Sequence, residues 1–574
     1  MKANPHQPSA AALPERMIAT VPSQAVPAGN PASSERVALR TVAGAACLML
    51  IAHLWVALTR SINWDEFHYF DLIRRYAAGT LDAPLQTFHV HLFSWLLELP
   101  FEPTAQVRGG RLVMLACLGG AALATYGIAA RFASRPAAAL VALAWLTGGF
   151  VVWHGTAFRT DPMATVLLMA SLWLLACRAL TARNALVAGA LAGLAALITI
   201  KSGLYAPAFA AIAMLRWDQD GQRAVIRSAA VTALSALTTF AVLYQWHAGQ
   251  LIAAPPNAGM ADTQSAWSTV FSEGILPRAD ALWTQIKLAP HISFLIAFAP
   301  LAWWFARFDR SRMLVMIGLT LPLVTVLIYR NAYPYFYVFV LPTVLVATAP
   351  AIELIVRRIS ATGFGLLLTL LGIGLATAGP RGTLDGQRQT IAAAKQLFPQ
   401  PVTYIDFAGS LGSQNRATDF MLSGWGLKNY HARGIPELRQ IMLHKTVPLL
   451  VVNHPVLDAA MAGERPNERL MDADAAALRG NYIPHWGRLY VAGKVFSPGA
   501  DPIEAEFLVP GPYTLEGAAL ELDGKAYRPG DIISLDRGFH RIGGSREVQA
   551  TLRWGKNLPW PAEAPLPVPP FDGF

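Results

Sequence analysis

Charge is what this sequence has least of. Only 14% of its 574 residues are Asp, Glu, Lys or Arg, where a soluble globular chain has about 25%. Hydrophobic residues make up 54%, and the mean hydropathy is +0.38. That composition excludes an ordinary soluble domain and points to a polytopic membrane protein. Cysteine is scarce too: Cys47, Cys117 and Cys177 all fall inside apolar runs, so no disulfide framework is implied. No His/Cys cluster has metal-ligand spacing, so no metal and no cofactor is expected, with a divalent cation on an acidic residue left open. The net charge of +10 suggests nucleic acid at first sight. The basic residues recur instead in short connectors between apolar runs, which membrane topology explains better, so no nucleic-acid partner is expected. No solenoid-type repeat is present.

What is present is a succession of apolar runs at roughly 40–60, 111–130, 137–155, 162–178, 184–200, 203–216, 228–247, 286–306, 313–329, 335–355 and 362–379. They predict about eleven spans. Residues 1–36, rich in Ala, Pro and Ser, read as a disordered cytoplasmic tail. The first run lacks a small-residue cleavage site and reads as an uncleaved anchor. If the loop after it lies outside, the inner connectors carry Arg131 and Arg135, Arg178 and Arg183, Arg223 and Arg227, Arg307, Arg310 and Arg312, and Arg357 and Arg358. That satisfies the positive-inside rule, placing the amino terminus in the cytoplasm and everything past 380 outside.

Past 380 the pattern changes. "VTYID" (402–406) and "PLLVVN" (448–453) read as short buried strands, with a helix near 435–443 between them. After 500, alternating segments such as "EAEFLV" and "DIISLD" predict strands, and Asp523-Gly524 a hairpin turn. The expected division is therefore a tail (1–36), a transmembrane domain (37–380), an extracytoplasmic α/β region (381–500) and a small β-sandwich-like module with a Pro-rich, surface-hugging tail (501–574).

Ionisable residues gather in specific places. "NWDEFHYFDLIRRY" (63–76) sets Asp65 and Glu66 among aromatics directly after the first span. Asp65, His68, Leu72 and Arg75 recur about one turn apart, so a short helix lying in the interface would have one polar face. The same loop carries His89 and His91 in "FHVHLFSW". Arg159 and Asp161 precede Pro162 where the fourth span begins, a place where Asp is often only a helix cap. Lys201 interrupts "LITIKSGLY" at span depth, and such a residue is a functional candidate unless it merely snorkels. Arg330 and Tyr333 open the segment "IYRNAYPYFYVFVLP", whose tyrosines also suit an interfacial belt. Each signal is weak alone. Together they fall on the outer face, where one cavity would hold carboxylates able to deprotonate a hydroxyl beside cations able to hold a phosphate.

This order of motifs resembles the GT-C superfamily of integral-membrane glycosyltransferases, especially family 39, the protein O-mannosyltransferases and lipid A aminoarabinose transferases. In that family an Asp-Glu pair opens the first exported loop, as Asp65-Glu66 does here, and its first Asp is the catalytic base. The resemblance gives that role to Asp65 and carries Arg159-Thr160-Asp161-Pro162, Lys201 and Arg330 to Tyr333 onto the family's later motifs. It covers roughly 40–350. The family's Lys/His-Pro-Pro-Leu motif is missing, and "HVHLFSW" stands in its place.

The expected protein is an inverting, polyprenyl-phosphate-sugar-dependent glycosyltransferase in the bacterial inner membrane, acting on a lipid, glycan or protein acceptor at the outer face. Its catalytic residues would be Asp65, Glu66 and Asp161; Lys201, Arg330, His89 and Arg159 would bind donor phosphate; His68, Tyr69, His91 and Tyr333 would contact substrate. Two rivals stand beside it. A non-catalytic scaffold for envelope-polysaccharide assembly would scatter these side chains, and a secondary transporter would show a midplane relay and a two-fold repeat.

Overall fold

The structure, a computed structural model, describes residues 31–252, 274–379, 382–499, 501–543 and 548–572. Of the tail expected at 1–36, residues 1–30 lie outside the described residues, and helix α1 (Pro31–Thr59) is already under way at Pro31. The helices that follow are α2 (Trp64–Ala77), α3 (His89–Phe93), α4 (Pro103–Ala129), α5 (Arg135–Leu146), α6 (Gly149–His154), α7 (Thr160–Cys177), α8 (Ala182–Ile198), α9 (Ala206–Asp220) and α10 (Gln222–Ala248). Beyond the undescribed stretch come α11 (Ala279–Leu288), α12 (Pro290–Phe305), α13 (Arg310–Val324), α14 (Phe336–Ala347), α15 (Ala349–Val356) and α16 (Ala361–Thr377).

Every apolar run of the sequence is thus helical. By length and composition, five of these helices can cross a membrane, or up to seven if the bent pairs α11–α12 (96°) and α14–α15 (59°) each count as one; α5, α8 and α16 are apolar but shorter. Side-chain exposure sorts them. Helix α14 is buried on every face, as expected of a helix apolar all round. Helix α10 instead leaves Leu234 and Leu237 each 68% exposed, an apolar surface suited to lipid. It is held to α8 through Gly189 and Gly193, where any Cβ would collide with the α10 backbone at Thr232 and Ala236, the small-xxx-small contact of membrane helices.

The remainder of the chain mixes helix and strand. Helix α17 (Thr383–Leu397) leads to β1 (Thr403–Ile405), β2 (Asn415–Arg416), α18 (Gly424–Arg433), α19 (Glu437–His444), β3 (Leu449–Val451), α20 (Pro455–Ala462) and α21 (Asp472–Asn481). Strands β4 (Tyr482–Trp486), β5 (Leu489–Phe496), β6 (Ile503–Phe507), β7 (Gly511–Gly517), β8 (Leu520–Leu522), β9 (Lys525–Tyr527), β10 (Ile532–Leu535), β11 (Gly538–Gly543) and β12 (Ala550–Trp554) complete it. One sheet runs β10-β7-β12-β5-β3-β1-β2, with β4 also on β5, and β1 lies parallel to both β2 and β3. A second sheet runs β6-β11-β8-β9. Asp523 and Gly524 both have positive φ (51° and 82°) and join β8 to β9 as the two-residue hairpin expected of that pair.

Three apolar cores hold the molecule. The first lies within the helical bundle, and the third within the β module around Phe507, Tyr513 and Leu552. The second ignores the expected boundary at 380: it packs Phe67, Phe70, Phe93 and Phe158 together with Leu397, Tyr404, Leu450 and Phe571. The α/β region is therefore seated directly on the first loop. The Pro-rich tail follows the surface of the α/β region, but its last described residues do not stay there, and Phe571 is buried.

Candidate functional site

Helix α2 is built to start where it does. Asn63 caps it, its Oδ1 accepting from Asp65 N at 2.9 Å, while the Glu66 carboxylate accepts from Asn63 N at 2.9 Å. This capping box fixes the first turn and with it the direction of Asp65. The polar stripe read from periodicity is present: Asp65, His68, Leu72 and Arg75 all line one cavity of about 950 Å³.

The floor of that cavity holds Asp65 and Arg159, the first two members of a chain of four charges whose other two, Asp161 and Lys201, are not among the residues lining it. Arg159, at the N-cap of α7, pairs through Nη1 with Asp65 and places Nε 3.4 Å from Asp161 Oδ2. Asp161 pairs in turn with Lys201, which sits on the 3₁₀ turn Ile200–Tyr205 between α8 and α9. Asp161 lies in the first turn of α7, and its carboxylate meets the two cations. The side chains of Asp65, Arg159, Asp161 and Lys201 are 13%, 5%, 1% and 11% exposed. Tyr335 lies beneath both cations, its ring centre 3.4 Å from Arg159 Cζ and 5.2 Å from Lys201 Nζ.

The other residues singled out in the sequence divide. Tyr69, His68, Arg330 and Tyr333 line the cavity. The Tyr333 hydroxyl accepts from Arg278 Nη2 at 2.7 Å, which adds Arg278 to the cationic wall. Glu66 faces away. It takes Arg111 Nε at 2.7 Å and Nη2 at 2.5 Å, Phe158 N at 2.6 Å and Asn63 N, so its acceptor positions are filled behind α2. His89 is buried under Tyr69, with Nε2 3.2 Å from the Tyr69 carbonyl. His91 lies 2.7 Å from His247, ring nitrogen to ring nitrogen, and packs on Tyr76. Neither His89 nor His91 is among the residues lining the cavity. Burial, with His247 and His91 nearby, holds His89 down to about 4 against its two backbone hydrogen bonds. His68 is held down to about 3 by burial, with Arg416, His89 and Arg75 adding to it. Both imidazoles are neutral near pH 7.

The opposite wall comes from the α/β region, where the sequence suggested acceptor or glycan contacts but singled out no residue. Phe407, Asp419, Phe420, Lys428, Glu437 and His454 all face the cavity. Arg416 fastens this wall to α2: its guanidinium, 1% exposed, lies 3.4 Å from both Asp71 and Asp406 and donates to the carbonyls of Phe407 and Phe420. Burial pushes the Asp71 carboxyl up, with Asp406 adding to it, opposed by Arg416 and Arg74. No local pattern marks these wall residues. Glu66, by contrast, could have been assigned from the Asn63-x-x-Glu66 spacing, a capping-box signature. Among the described residues no group of three or more His, Cys, Asp or Glu side chains is arranged to hold a metal ion.

A bundle of apolar helices, an acidic first loop lying on it and a mixed α/β region closing over that loop together form a fold that is also found among solved structures. In particular, the structure is similar to ArnT from Cupriavidus metallidurans, whose crystal structure has undecaprenyl phosphate bound; the TM-score is 0.51 at 14% identity, covering 75% of this chain and 95% of that one. The apo oligosaccharyltransferase of Archaeoglobus fulgidus is also similar, with a TM-score of 0.48 at 11% identity over 76% of this chain and 73% of that one. No protein-family model and no curated protein matches the sequence. At these identities the likeness is one of fold.

Proposed function

We propose that this chain is an inverting glycosyltransferase that moves a sugar from a polyprenyl-phosphate donor to an acceptor hydroxyl at the outer face of a bacterial inner membrane. The observation that carries the reading is the Asp65–Arg159–Asp161–Lys201 chain, which opens through Asp65 and Arg159 onto one large cavity. The fold adds to it, since ArnT, which is similar, binds undecaprenyl phosphate.

In this reading the Asp65 carboxylate takes the proton of the acceptor hydroxyl. The acceptor oxygen attacks the anomeric carbon, the bond from that carbon to the phosphate oxygen breaks, and the lipid phosphate leaves with the electron pair. The four linked charges sum to zero, and Arg278 and Arg330 add positive charge to the cavity wall. A leaving phosphate gains charge as the bond breaks, and fixed cations aimed at it lower that barrier. Arg159 is shared between two carboxylates, and a donor phosphate offers it a third anionic partner. Its movement toward the phosphate would release Asp65 as a base. Glu66 and Arg111 hold the first turn of α2 from behind, His89 and His91 pack the loop, and the wall from 407 to 468 meets the acceptor.

Purified protein incubated with labelled polyprenyl-phosphate sugars should transfer label with inversion at the anomeric carbon. Retained configuration would exclude a single displacement using Asp65 as base. For sidedness, a phosphatase reporter fused after residue 400 should be active; activity only after fusion at residue 310 would reverse the topology.

A further inference from the structure

The Pro-rich segment does more than cover the surface. From about 559 to 572 it is bonded along its length to the α/β region: Trp486 Nε1 donates to Glu563 O at 2.9 Å, and the Gln389 amide bonds both Ala564 O and Leu566 N at 2.9 Å. The Val568 side chain fills the place a Cβ on Gly386 would need, so α17 is shaped to receive this strap. Proline limits the freedom of the unattached segment, which lowers the entropy lost on docking.

Its end meets the start of α2. Gln387 bonds Ile62 through both backbone groups, N at 2.9 Å and O at 2.8 Å, and its Nε2 also donates to Pro570 O at 2.9 Å. Ser61 Oγ donates to Asp572 Oδ2 at 2.5 Å. The Phe571 ring stands edge-on to Trp64 at 5.6 Å and to Phe67 at 6.2 Å, on either side of Asp65 in sequence. Asp572 also shares a small pocket of about 40 Å³ with Asn63, Glu66 and Arg111, the groups that cap α2. Neither Phe571 nor Asp572 is among the residues lining the large cavity.

We propose that Phe571 and Asp572 are positioning residues for Asp65: the strap closes over residues 61–67 beside Arg111 and fixes where the first turn of α2 presents its carboxylate. The inference rests on the reading of Asp65 as the base. The cations that would hold the donor phosphate lie outside the strap's contacts, so loosening it changes turnover and leaves donor binding alone.

The test uses the full-length protein with Phe571→Ala, Phe571→Leu and Asp572→Asn. Hydrogen exchange is followed across residues 60–70, with turnover and donor affinity measured on a labelled polyprenyl-phosphate sugar. Phe571→Ala should speed exchange in that stretch and lower kcat by about ten- to a hundredfold, the range for an ångström-scale misplacement. The donor Kd should stay within about twofold, because the phosphate contacts are untouched. Phe571→Leu, which keeps apolar bulk, should recover most of the loss, and Asp572→Asn should fall between. Unchanged exchange in Phe571→Ala overturns the strap whatever Asp65 does. A joint loss of kcat, donor affinity and melting temperature overturns the positioning role by showing a general structural one. Normal turnover in Asp65→Asn sinks the base instead, and does so independently of the exchange result.

Discussion

The cavity floor and the distal β module both hold charged side chains in pairs, and they treat them in opposite ways. At the floor and just beyond its lining, four alternating charges are nearly shut off from solvent, and the Glu66–Arg111 pair is 1% and 5% exposed. In the β module, His540 is 14% exposed but its partner Asp523 is 48%, and Arg553 at 10% meets Glu516 at 39%. Burying charge is costly even when paired, and apolar residues of similar volume often hold a core as well or better. A fold that needed only stability would have no use for these four linked charges. Their retention fits a site that must balance its own charge and still accept a phosphate.

That contrast can be broken by mutation. Replacing Glu66 by Ala strands Arg111 in the core, and it should destabilise the protein by about 3–5 kcal/mol, the range for breaking a buried pair. A thermal melt in detergent checks this; a loss no larger than at a surface pair would erase the distinction. Lys201→Ala leaves the buried Asp161 with Arg159 as its remaining cation, so it should lower the melting temperature less than Glu66→Ala does, and it should weaken donor binding by about 1.5–3 kcal/mol, one charge-assisted contact to phosphate. A donor isotherm reads that change directly.

Acid should separate the two regions by sign. Burial holds His68 to about 3, and holds His89 and His454 each to about 4. Their folded values lie below the unfolded value near 6.5, so their contribution is present above about pH 6.5 and is lost as pH falls. One such imidazole should cost about 1–2 kcal/mol by pH 5.5, visible as a falling melting temperature of the site and accelerated exchange in 64–70. His540 is raised by its hydrogen bonds and by Asp523 and Asp536, against the effect of burial, so its contribution is present below about 6.5 and lost as pH rises. Asp523 is lowered, chiefly by its hydrogen bond to His540, so its contribution fails only as pH falls through the acid range. Because that pair is half open to water, His540→Ala should cost at most about 1 kcal/mol, measured as a melting shift at pH 6 that shrinks by pH 8.

Much of this contrast was legible before any coordinates, and the division is instructive. The α2 stripe from Asp65 to Arg75 was visible because helical periodicity is local, and Lys201 stood out because an ammonium in an apolar run has few innocent explanations. Alternation after 500 marked the β module for the same reason. The number of spans is not fixed by hydropathy, since bends such as the one at Ala289 turn one apolar run into two short helices. The wall built by Phe407, Asp419, Lys428 and His454 left no trace, because these residues lie on short loops and helices whose neighbours are chosen by tertiary packing. Glu66 was assigned to chemistry for its place beside Asp65. Its four hydrogen bonds put it in the framework.

The central claim is that Asp65 does chemistry and the cations around it do binding. Asp65→Asn separates the two with one nearly isosteric change, because an amide keeps the shape but cannot take the acceptor's proton. Donor affinity and turnover would be measured on the same labelled polyprenyl-phosphate sugar. The account predicts a donor isotherm close to that of the unaltered protein and a rate lower by about two to four orders of magnitude, as for loss of a general base. Near-normal turnover would contradict it and leave Asp65 as no more than the partner of Arg159 at a helix end.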